Sequence, residues 1–491
     1  MQLELVLGAG AVVLILGVLG ARASSSLGLP ALLLFLGIGL LIGESGLGLQ
    51  FSDARLTEEL GLAALVLILT EGGMTTRWRT VRPALGLGIA LSTVSVLVSI
   101  AVVGVAVHLL LGLDWRVALL WGAVLSSTDA AAVFSVLRGL SVRRRLVGAL
   151  ELESGFNDAP VVIAVMIFAG SSPIPWWTPV VVGYELAAGA GLGAALGFGG
   201  AWVLRRIALP ATGLYPLAAV AVCVLSYSGG QLLHASGLLA TYVCALVLGN
   251  ADLPHRSDTV SFAEGTGWLA QIGLFVLLGL YASPSRLPSA VVDALVIGLI
   301  LLLVARPLSV LAAGLPLRLP WREQAFLSFA GLRGAVPIVL ATIPLVEGVP
   351  GAQRLLDVVF VLVVVLTLVQ GTSLPFVARR LRVTVSEVTE VSVDAAPLDN
   401  LHADLLQVGV PAGSQLHGVY LGELRLPTGA VVSLVVRDGA GFTPDARTRL
   451  KRGDQLLVVT TSTARDAAEA RIRAVDAGGR LARWRGISGR Q

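Results

Sequence analysis

The chain has 491 residues, of which 55% are hydrophobic and 13% are charged, with a net charge of +4 at pH 7 and a mean hydropathy of +0.85. Because soluble proteins carry roughly a quarter charged residues, this composition excludes an ordinary soluble protein and indicates one embedded in a lipid bilayer. The basic residues lie mainly in short loops between apolar runs, so we expect no nucleic-acid partner.

Apolar runs dominate the chain up to residue 382, and a transmembrane helix needs about 20 such residues. No basic stretch precedes the first run, so we expect no cleaved signal peptide. The sequence predicts an all-α polytopic domain over residues 1–382 with about thirteen helices. They lie near residues 3–21, 27–43, 59–76, 83–111, 117–137, 146–170, 178–206, 213–234, 236–250, 260–281, 289–313, 322–346 and 354–378.

Arginine is distributed unevenly between alternate loops. If the amino terminus is outside, the external loops hold only Arg55, Arg116, Arg286 and Arg354. The cytoplasmic connections then hold Arg22, Arg77, Arg79, Arg82, Arg138, Arg143, Arg144, Arg145, Arg205, Arg206, Arg256, Arg318, Arg322, Arg379, Arg380 and Arg382. Since basic residues concentrate in cytoplasmic loops, we predict a multi-pass protein of the cytoplasmic membrane with an external amino terminus and a cytoplasmic tail.

Polar residues interrupt the third and fifth spans. Glu71 precedes two glycines near the end of the third span and is a candidate for the lining of an ion path, with an interfacial position as the alternative. In the fifth span, the polar run Ser126 to Asp129 indicates a broken helix of the kind that transporters use at the bilayer midplane. Thr128 and Asp129 are then candidate cation ligands, and a polar patch satisfied by neighbouring helices is the alternative.

The sixth span carries the densest polar cluster, in an apolar run over residues 146–170. An ionisable side chain in mid-bilayer costs about 2.5 to 3.5 kcal/mol, so such residues usually have a function. Ser154 and Asp158 share one helical face, and Glu153 and Asn157 share the neighbouring face. Because a buried carboxylate can bind an alkali cation or a proton, the cluster predicts a site for two competing ions, as an exchanger needs.

The twelfth span contains Arg333 inside an apolar stretch. Arginine stays protonated in proteins, so a buried guanidinium needs an acidic partner. We predict an ion pair between Arg333 and Glu153, which would leave Asp158 free to titrate.

Beyond the last span the pattern changes to short β-rich runs. Residues 383–401 are expected to form a linker, residues 402–475 a small α+β domain, and residues 476–491 a flexible tail. Strands are predicted at residues 405–410, 429–437 and 455–461, followed by a helix over residues 464–475.

Four motifs in the membrane part together resemble the NhaP-type monovalent cation:proton antiporters. They are Leu69-Thr-Glu71-Gly-Gly, Thr128-Asp129, Glu153-Ser154-x-x-Asn157-Asp158 and Gly331-Leu-Arg333-Gly. The resemblance implies inverted repeats and a homodimer. It also implies that Asp158 is the ion and proton carboxylate, that Glu153 and Arg333 form a stabilising pair, and that Asp129 lies near a helix crossing.

The same resemblance assigns cation coordination to Ser154, Thr128 and Glu71. Relatives with Asn before the aspartate are mostly electroneutral, so Asn157 implies one-for-one exchange.

The tail resembles the TrkA C-terminal (RCK C-terminal) regulatory domain. The matching segments are Gly409-Val-Pro-Ala-Gly-Ser-Gln-Leu-His-Gly418, Leu421-Gly-Glu-Leu-Arg-Leu-Pro427 and Leu450-Lys-Arg-Gly453-Asp454. This implies a domain that dimerises and binds small ligands, cyclic di-AMP among them, and that accompanies potassium transport more often than sodium transport. The nucleotide-binding partner of that domain is missing from the sequence, so we expect no NAD or ATP control and no cofactor.

We therefore predict a potassium/proton antiporter, not an enzyme, with sodium as the alternative cation. A ligand-gated cation channel is a rival hypothesis, and a membrane sensor that transports nothing is a second.

Overall fold

The computed structural model describes residues 2–27, 30–44, 46, 48, 51–129, 142–384, 393–398, 403–411, 413–461 and 463–482. The chain divides into two compact units, Met1–Thr384 and Val385–Gln491.

The first unit is helical throughout its described length. Its helices are α1 Gln2–Leu27, α2 Ala31–Ile42, α3 Ala54–Thr75, α4 Trp78–Leu111, α5 Trp115–Ser126, α6 Arg144–Ala169, α7 Thr178–Arg206, α8 Leu214–Leu232, α9 Gly237–Asn250, α10 Arg256–Tyr281, α11 Leu287–Gly314, α12 Trp321–Ala330, α13 Ala335–Val346 and α14 Ala352–Arg380. Helices α4 and α11 each contain one π-helical turn, at Leu91–Ser95 and Leu301–Ala305.

Among the described residues, eight helices are long and apolar enough to cross a membrane, or nine if the bent pair α12 and α13 counts as one span. Three further helices, α2, α5 and α9, are apolar but shorter. The first unit is therefore a multi-pass membrane domain, as the composition predicts.

Glycine lets the helices of this unit approach closely. Helices α2 and α10 meet at Gly39 and Gly279, where a Cβ atom on either residue would overlap the backbone of the other helix. Small residues at such crossings are typical of membrane proteins, in which helices associate by close packing.

Two predicted spans contain non-helical segments. Helix α5 ends at Ser126 and is followed by the non-helical residues Ser127 to Asp129, at the position where the sequence predicts an interruption. The rest of the fifth predicted span, residues 130–137, lies outside the described residues. The twelfth predicted span is not one helix, because α12 and α13 are bent by 56° about the non-helical residues Gly331 to Gly334.

The end of the first unit is hydrogen-bonded to the start of α6. Val142 and Thr384 form an antiparallel β-bridge, and the Arg143 amide donates a hydrogen bond to the Val383 carbonyl at 3.2 Å. The Arg143 guanidinium also pairs with Glu323 of α12 at 2.7 Å.

The second unit contains one antiparallel sheet, in the spatial order β1-β2-β5-β3-β4. Its elements are β1 Val393–Leu398, β2 Ala403–Gly409, α15 Leu421–Leu424, β3 Ala430–Arg437, β4 Ala440–Phe442, β5 Gln455–Thr461 and α16 Arg465–Gly478. The hydrophobic core of this unit lies between the sheet and α16, with Leu406, Val435, Val458 and Ile472 buried.

The sequence-based assignment of this unit misses three elements. The three predicted strands and the helix correspond to β2, β3, β5 and α16, but α15 and β4 have no predicted counterpart, and the stretch 383–401, expected to be a linker, contains β1. That stretch mixes polar and apolar residues without a clear period, and its Pro397 is unfavourable in a central strand. Here β1 is an edge strand, where proline is tolerated.

Candidate functional site

The two broken helices cross at their non-helical segments, and the two segments satisfy each other's backbone groups. The Asp129 amide donates to the Leu332 carbonyl at 2.8 Å, and the Arg333 Nε donates to the Leu125 carbonyl at 3.2 Å. Since an unsatisfied peptide group is costly in a membrane, these bonds make the break in each helix tolerable.

Gly334 is required by this crossing. Its α-carbon faces the Asp129 carboxylate so closely that a Cβ atom would overlap the carboxylate. The Gly331-Leu-Arg333-Gly motif therefore has a packing reason for its last glycine, since only a hydrogen fits there.

Helix α6 passes the crossing and presents Asp158 to it. The carboxylate is 3% exposed and accepts a hydrogen bond from the Ser127 hydroxyl at 3.0 Å. It lines a cavity with about 40 Å³ of space for water-sized occupants, on the face of α6 that also carries Ser154. The cavity lining is Leu32, Leu65, Ile68, Leu69, Asp129, Ser154, Asp158, Gln271, Phe275, Ala335 and Val336.

The neighbouring face of α6 carries a network of buried polar side chains. The Arg306 guanidinium pairs with Glu153 at 2.7 Å, and both side chains are almost fully buried. The Thr128 hydroxyl donates to Glu153 at 3.2 Å, and the Asn157 amide donates to that hydroxyl at 2.6 Å. The carboxylate of Glu153 is thus neutralised by a cation, whereas Asp158 has a hydroxyl donor.

Both π-helical turns lie against this network. Ser92, in the turn of α4, donates its hydroxyl to the Glu153 carbonyl at 3.2 Å. The turn of α11 immediately precedes Arg306. π-Helical turns occur frequently at functional sites, and here they bring two chain segments to the same residue of α6.

The structure corrects the predicted partner of Glu153. The prediction paired it with Arg333, but its described ion pair is with Arg306 of α11. The Arg333 Nη1 instead donates to the Gly331 carbonyl at 2.5 Å, and its Nε donates to Leu125. The physical reason is the crossing itself, which surrounds Arg333 with carbonyl groups of the two breaks, while Gly331 leaves space for the Arg306 guanidinium.

The other predicted site residues, apart from Glu71, lie either at the cavity or in the network around Glu153. Ser154, Asp158 and Asp129 line the cavity. Thr128 and Asn157 lie behind it in the network with Glu153.

Glu71 is not among the residues that line the cavity. It lies further along α3, where its side chain packs against Gly267 of α10. Glu71 thus lies within one helical turn of Ile68 and Leu69, which line the cavity.

Sequence reasoning missed two residues of this region, Arg306 and Gln271. Arg306 lies inside the apolar run 289–313, so the argument applied to Arg333 would have found it. Gln271 has no polar companion at helical spacing, and only the packing of α10 against the crossing places it at the cavity wall.

These features define a class of protein. A cavity with a buried aspartate, beside the contact of two non-helical segments within membrane helices, resembles the arrangement by which secondary transporters bind ions. A carboxylate in such a cavity supplies a hard oxygen for an alkali cation and can bind a proton instead.

The comparisons agree with this class. Residues 11–380 match the family described as "Sodium/hydrogen exchanger, transmembrane", and residues 405–473 match the TrkA-C domain. The chain belongs to the sodium/hydrogen exchanger family and carries a TrkA-C domain. It is thus a cation/proton antiporter, not an enzyme, and both predicted resemblances are confirmed.

Named relatives cover most of the chain. It is 35% identical over 459 residues to the K(+)/H(+) antiporter NhaP of Alkalimonas amylolytica, a match that covers 91% of this chain and 80% of that protein. It is 30% identical over 371 residues to the Na(+)/H(+) antiporter ApNhaP of Aphanothece halophytica, a match that covers 70% of this chain and 69% of that protein.

A solved structure is similar in fold. The sodium proton antiporter MjNhaP1 of Methanocaldococcus jannaschii superposes with a TM-score of 0.68 at 23% identity, covering 78% of this chain and 99% of that one.

Proposed function

We propose that this protein exchanges potassium for protons, one for one, across the cytoplasmic membrane, with Asp158 as the shared binding group. The observation that carries the proposal is the contrast on α6 between Asp158, which faces the cavity, and Glu153, which Arg306 neutralises. The K(+)/H(+) antiporter NhaP of Alkalimonas amylolytica supports potassium, and the Na(+)/H(+) antiporter ApNhaP supports sodium as the alternative.

The exchange follows from competition at one carboxylate. When the cavity opens to one side, Asp158 binds either the cation or a proton, and the loaded site is then exposed to the other side. Ser154 lies beside Asp158 in the cavity lining and supplies a further oxygen for the cation. Asp129 contributes a second carboxylate to the same lining. We propose weaker roles for Thr128, through its bond to Asn157, and for Glu71, as an acid near the path.

Electroneutral exchange is supported by Asn157. Its amide carries no charge and donates to Thr128, and Glu153 is neutralised by Arg306. The neighbouring face of α6 therefore presents no unpaired carboxylate beside Asp158. One proton is released for each monovalent cation bound provided that Asp129, the second carboxylate of the lining, keeps the same protonation state throughout the cycle.

We propose an inverted repeat with thirteen membrane helices. Thirteen is reached if α2, α3, α5 and α9 count as spans with the eight long helices and the bent pair. The order of elements along the chain supports the repeat. In the first half, α4 with its π-helical turn is followed by the interrupted fifth span and then by α6. In the second half, α11 with its π-helical turn is followed by the bent pair α12 and α13 and then by α14. We also propose a homodimer and an external amino terminus, the latter from the arginine distribution.

We propose that residues 402–475 regulate the exchange by binding a small ligand such as cyclic di-AMP. The support is the match to the TrkA-C domain and the fastening of Val383 and Thr384 to the start of α6. A change in the chain beyond Thr384 can therefore act on the helix that carries Asp158. Deletion after residue 400 is expected to retain exchange and lose regulation, and an inactive truncated protein would contradict this role.

The test is proton flux in proteoliposomes with potassium, sodium or choline as the only cation. The proposal expects potassium-driven proton movement that continues when the permeant anion thiocyanate dissipates the membrane potential. Potassium flux driven by the membrane potential, without obligatory proton movement, would instead identify the ligand-gated channel.

A further inference from the structure

A second, smaller cavity lies beyond the first one along the same two helices. Phe275 of α10 and Val336 of α13 line the first cavity, and Leu278 and Ile338, three and two residues further along the same helices, line the second. The second cavity has about 10 Å³ of space, close to the size of one water molecule. It lies toward the end of α10 at which Arg286 and the start of α14 are found.

One carboxylate, that of Asp357 on α14, faces this second cavity, whose other lining residues are Leu278, Tyr281, Ala282, Leu287, Ile338, Leu356 and Phe360. The Asp357 side chain is 11% exposed. Burial of a carboxylate beside apolar side chains is costly unless a cation or several donors compensate it.

The partners of Asp357 compensate it only in part. Arg286 approaches through Nε at 3.4 Å, and its side chain is 45% exposed. The Gln353 amide donates at 3.2 Å. Because the Arg286 side chain is half-exposed, its guanidinium can return to water when another cation takes its place at Asp357, so the carboxylate stays compensated. A carboxylate has about four acceptor positions, so Asp357 retains capacity for a further cation.

We propose that Asp357 is an outer relay site for the transported cation, and that Arg286 is a tethered cation that occupies the carboxylate when no ion is bound. This rests on the proposed exchange at Asp158. A cation from the side of the second cavity would displace Arg286, bind Asp357 and the Tyr281 hydroxyl, and move about one helical turn to the first cavity when the wall between them opens.

The alternative is that Arg286 and Asp357 only fix the connection between α10 and α11 to α14. The two roles predict different directions of change in cation binding when Arg286 and Asp357 are substituted. If Arg286 competes with the cation, removing it improves cation binding, whereas removing Asp357 weakens it. If the pair is merely structural, both substitutions act in the same direction.

The experiment uses full-length protein in proteoliposomes of known orientation, with potassium added to one face at a time. Asp357→Asn is expected to raise the apparent KM for potassium about fivefold at the face of the second cavity, with less than about a twofold change at the other face. Arg286→Gln is expected to lower the same KM about twofold. Asp293→Asn is the matched control, since Asp293 pairs with Arg354 and is absent from the cavity lining.

Shifts of equal sign in both variants, equal changes at both faces, or an unchanged KM in Asp357→Asn would overturn the relay site. If Asp357→Asn does not assemble, Arg286→Gln decides the question, because it leaves the carboxylate in place and a raised or unchanged KM contradicts competition. Failure of the unmodified protein to exchange would refute the proposed function itself, so the two failures are distinguishable.

Discussion

The two polar faces of α6 have similar residues and opposite surroundings. Glu153 is held by Arg306 and Thr128 on one face, and Asp158 lines a cavity on the other. A buried carboxylate paired with a guanidinium is held in place by its counter-ion. A carboxylate that lines a cavity can exchange one bound ion for another. The comparison teaches that the partner, and not the residue type, separates the structural acid from the exchanging one.

The largest effect is expected from Asp158→Asn. The change removes the group that we propose both ions share, so exchange should fall by about 100-fold or more while the protein still folds. Cation-driven proton flux and the elution volume in detergent check the two parts. Ser154→Ala is the matched variant on the same face and should reduce flux less, because it removes only a neutral oxygen from the cavity lining.

On the other face, Glu153→Gln should destabilise the fold. It leaves Arg306 buried without its counter-ion, and breaking a buried pair costs about 3 to 5 kcal/mol. A lower melting temperature in detergent is the readout. The double variant Glu153→Gln with Arg306→Met should recover much of the loss, since it removes the orphaned charge. No recovery would mean that Glu153 acts through a partner other than Arg306.

At the crossing, Gly334→Ala should reduce exchange about tenfold, because the added methyl group would push the Asp129 carboxylate out of the cavity lining. Gly86→Ala is the control, since a Cβ atom at Gly86 meets nothing within 4 Å. Equal activity of the two variants would show that the contact between Gly334 and Asp129 is unimportant.

The smallest effect is expected in the second unit, at Asp454. Burial alone would raise the pKa of this carboxyl, but the hydrogen bonds from Arg437 and from the Lys451 amide hold its pKa below the usual range. The folded form is thus stabilised above the unfolded pKa of about 3.9, and this stabilisation is lost as pH falls through the lower folded value.

Hydrogen exchange at the Lys451 amide of the full chain, corrected for its intrinsic rate, should therefore increase modestly below about pH 4. Asp454→Asn should remove that pH dependence, and Asp466→Asn, at an exposed position of α16, should retain it. An unchanged profile in Asp454→Asn would contradict the assignment.

Local chemistry made part of this architecture predictable. The apolar runs identified the membrane helices, and the polar run Ser126 to Asp129 identified the break after α5, because both signals lie within one stretch of sequence. The spacing of Ser154 and Asp158 likewise predicted a shared face. The longer elements of the tail were predictable, except for β1, whereas the short elements α15 and β4 were not.

Long-range partners were not predictable in this way. The choice of Arg306 over Arg333 depends on a π-helical turn in α11 and on the space left by Gly331. The contact of Asp129 with Gly334 joins segments 205 residues apart, and no local pattern specifies which helices cross. The second cavity at Asp357 is formed by four helices and a loop, so it too required the fold.

The central claim is that a cation and a proton compete for the Asp158 carboxylate. Its most direct test is proton release on adding potassium to the purified protein in weakly buffered detergent solution near neutral pH. The account predicts proton release that approaches one proton per bound potassium ion as the pH is lowered in the unmodified protein, and none in Asp158→Asn. Potassium binding without proton release, or equal release from both proteins, would contradict it.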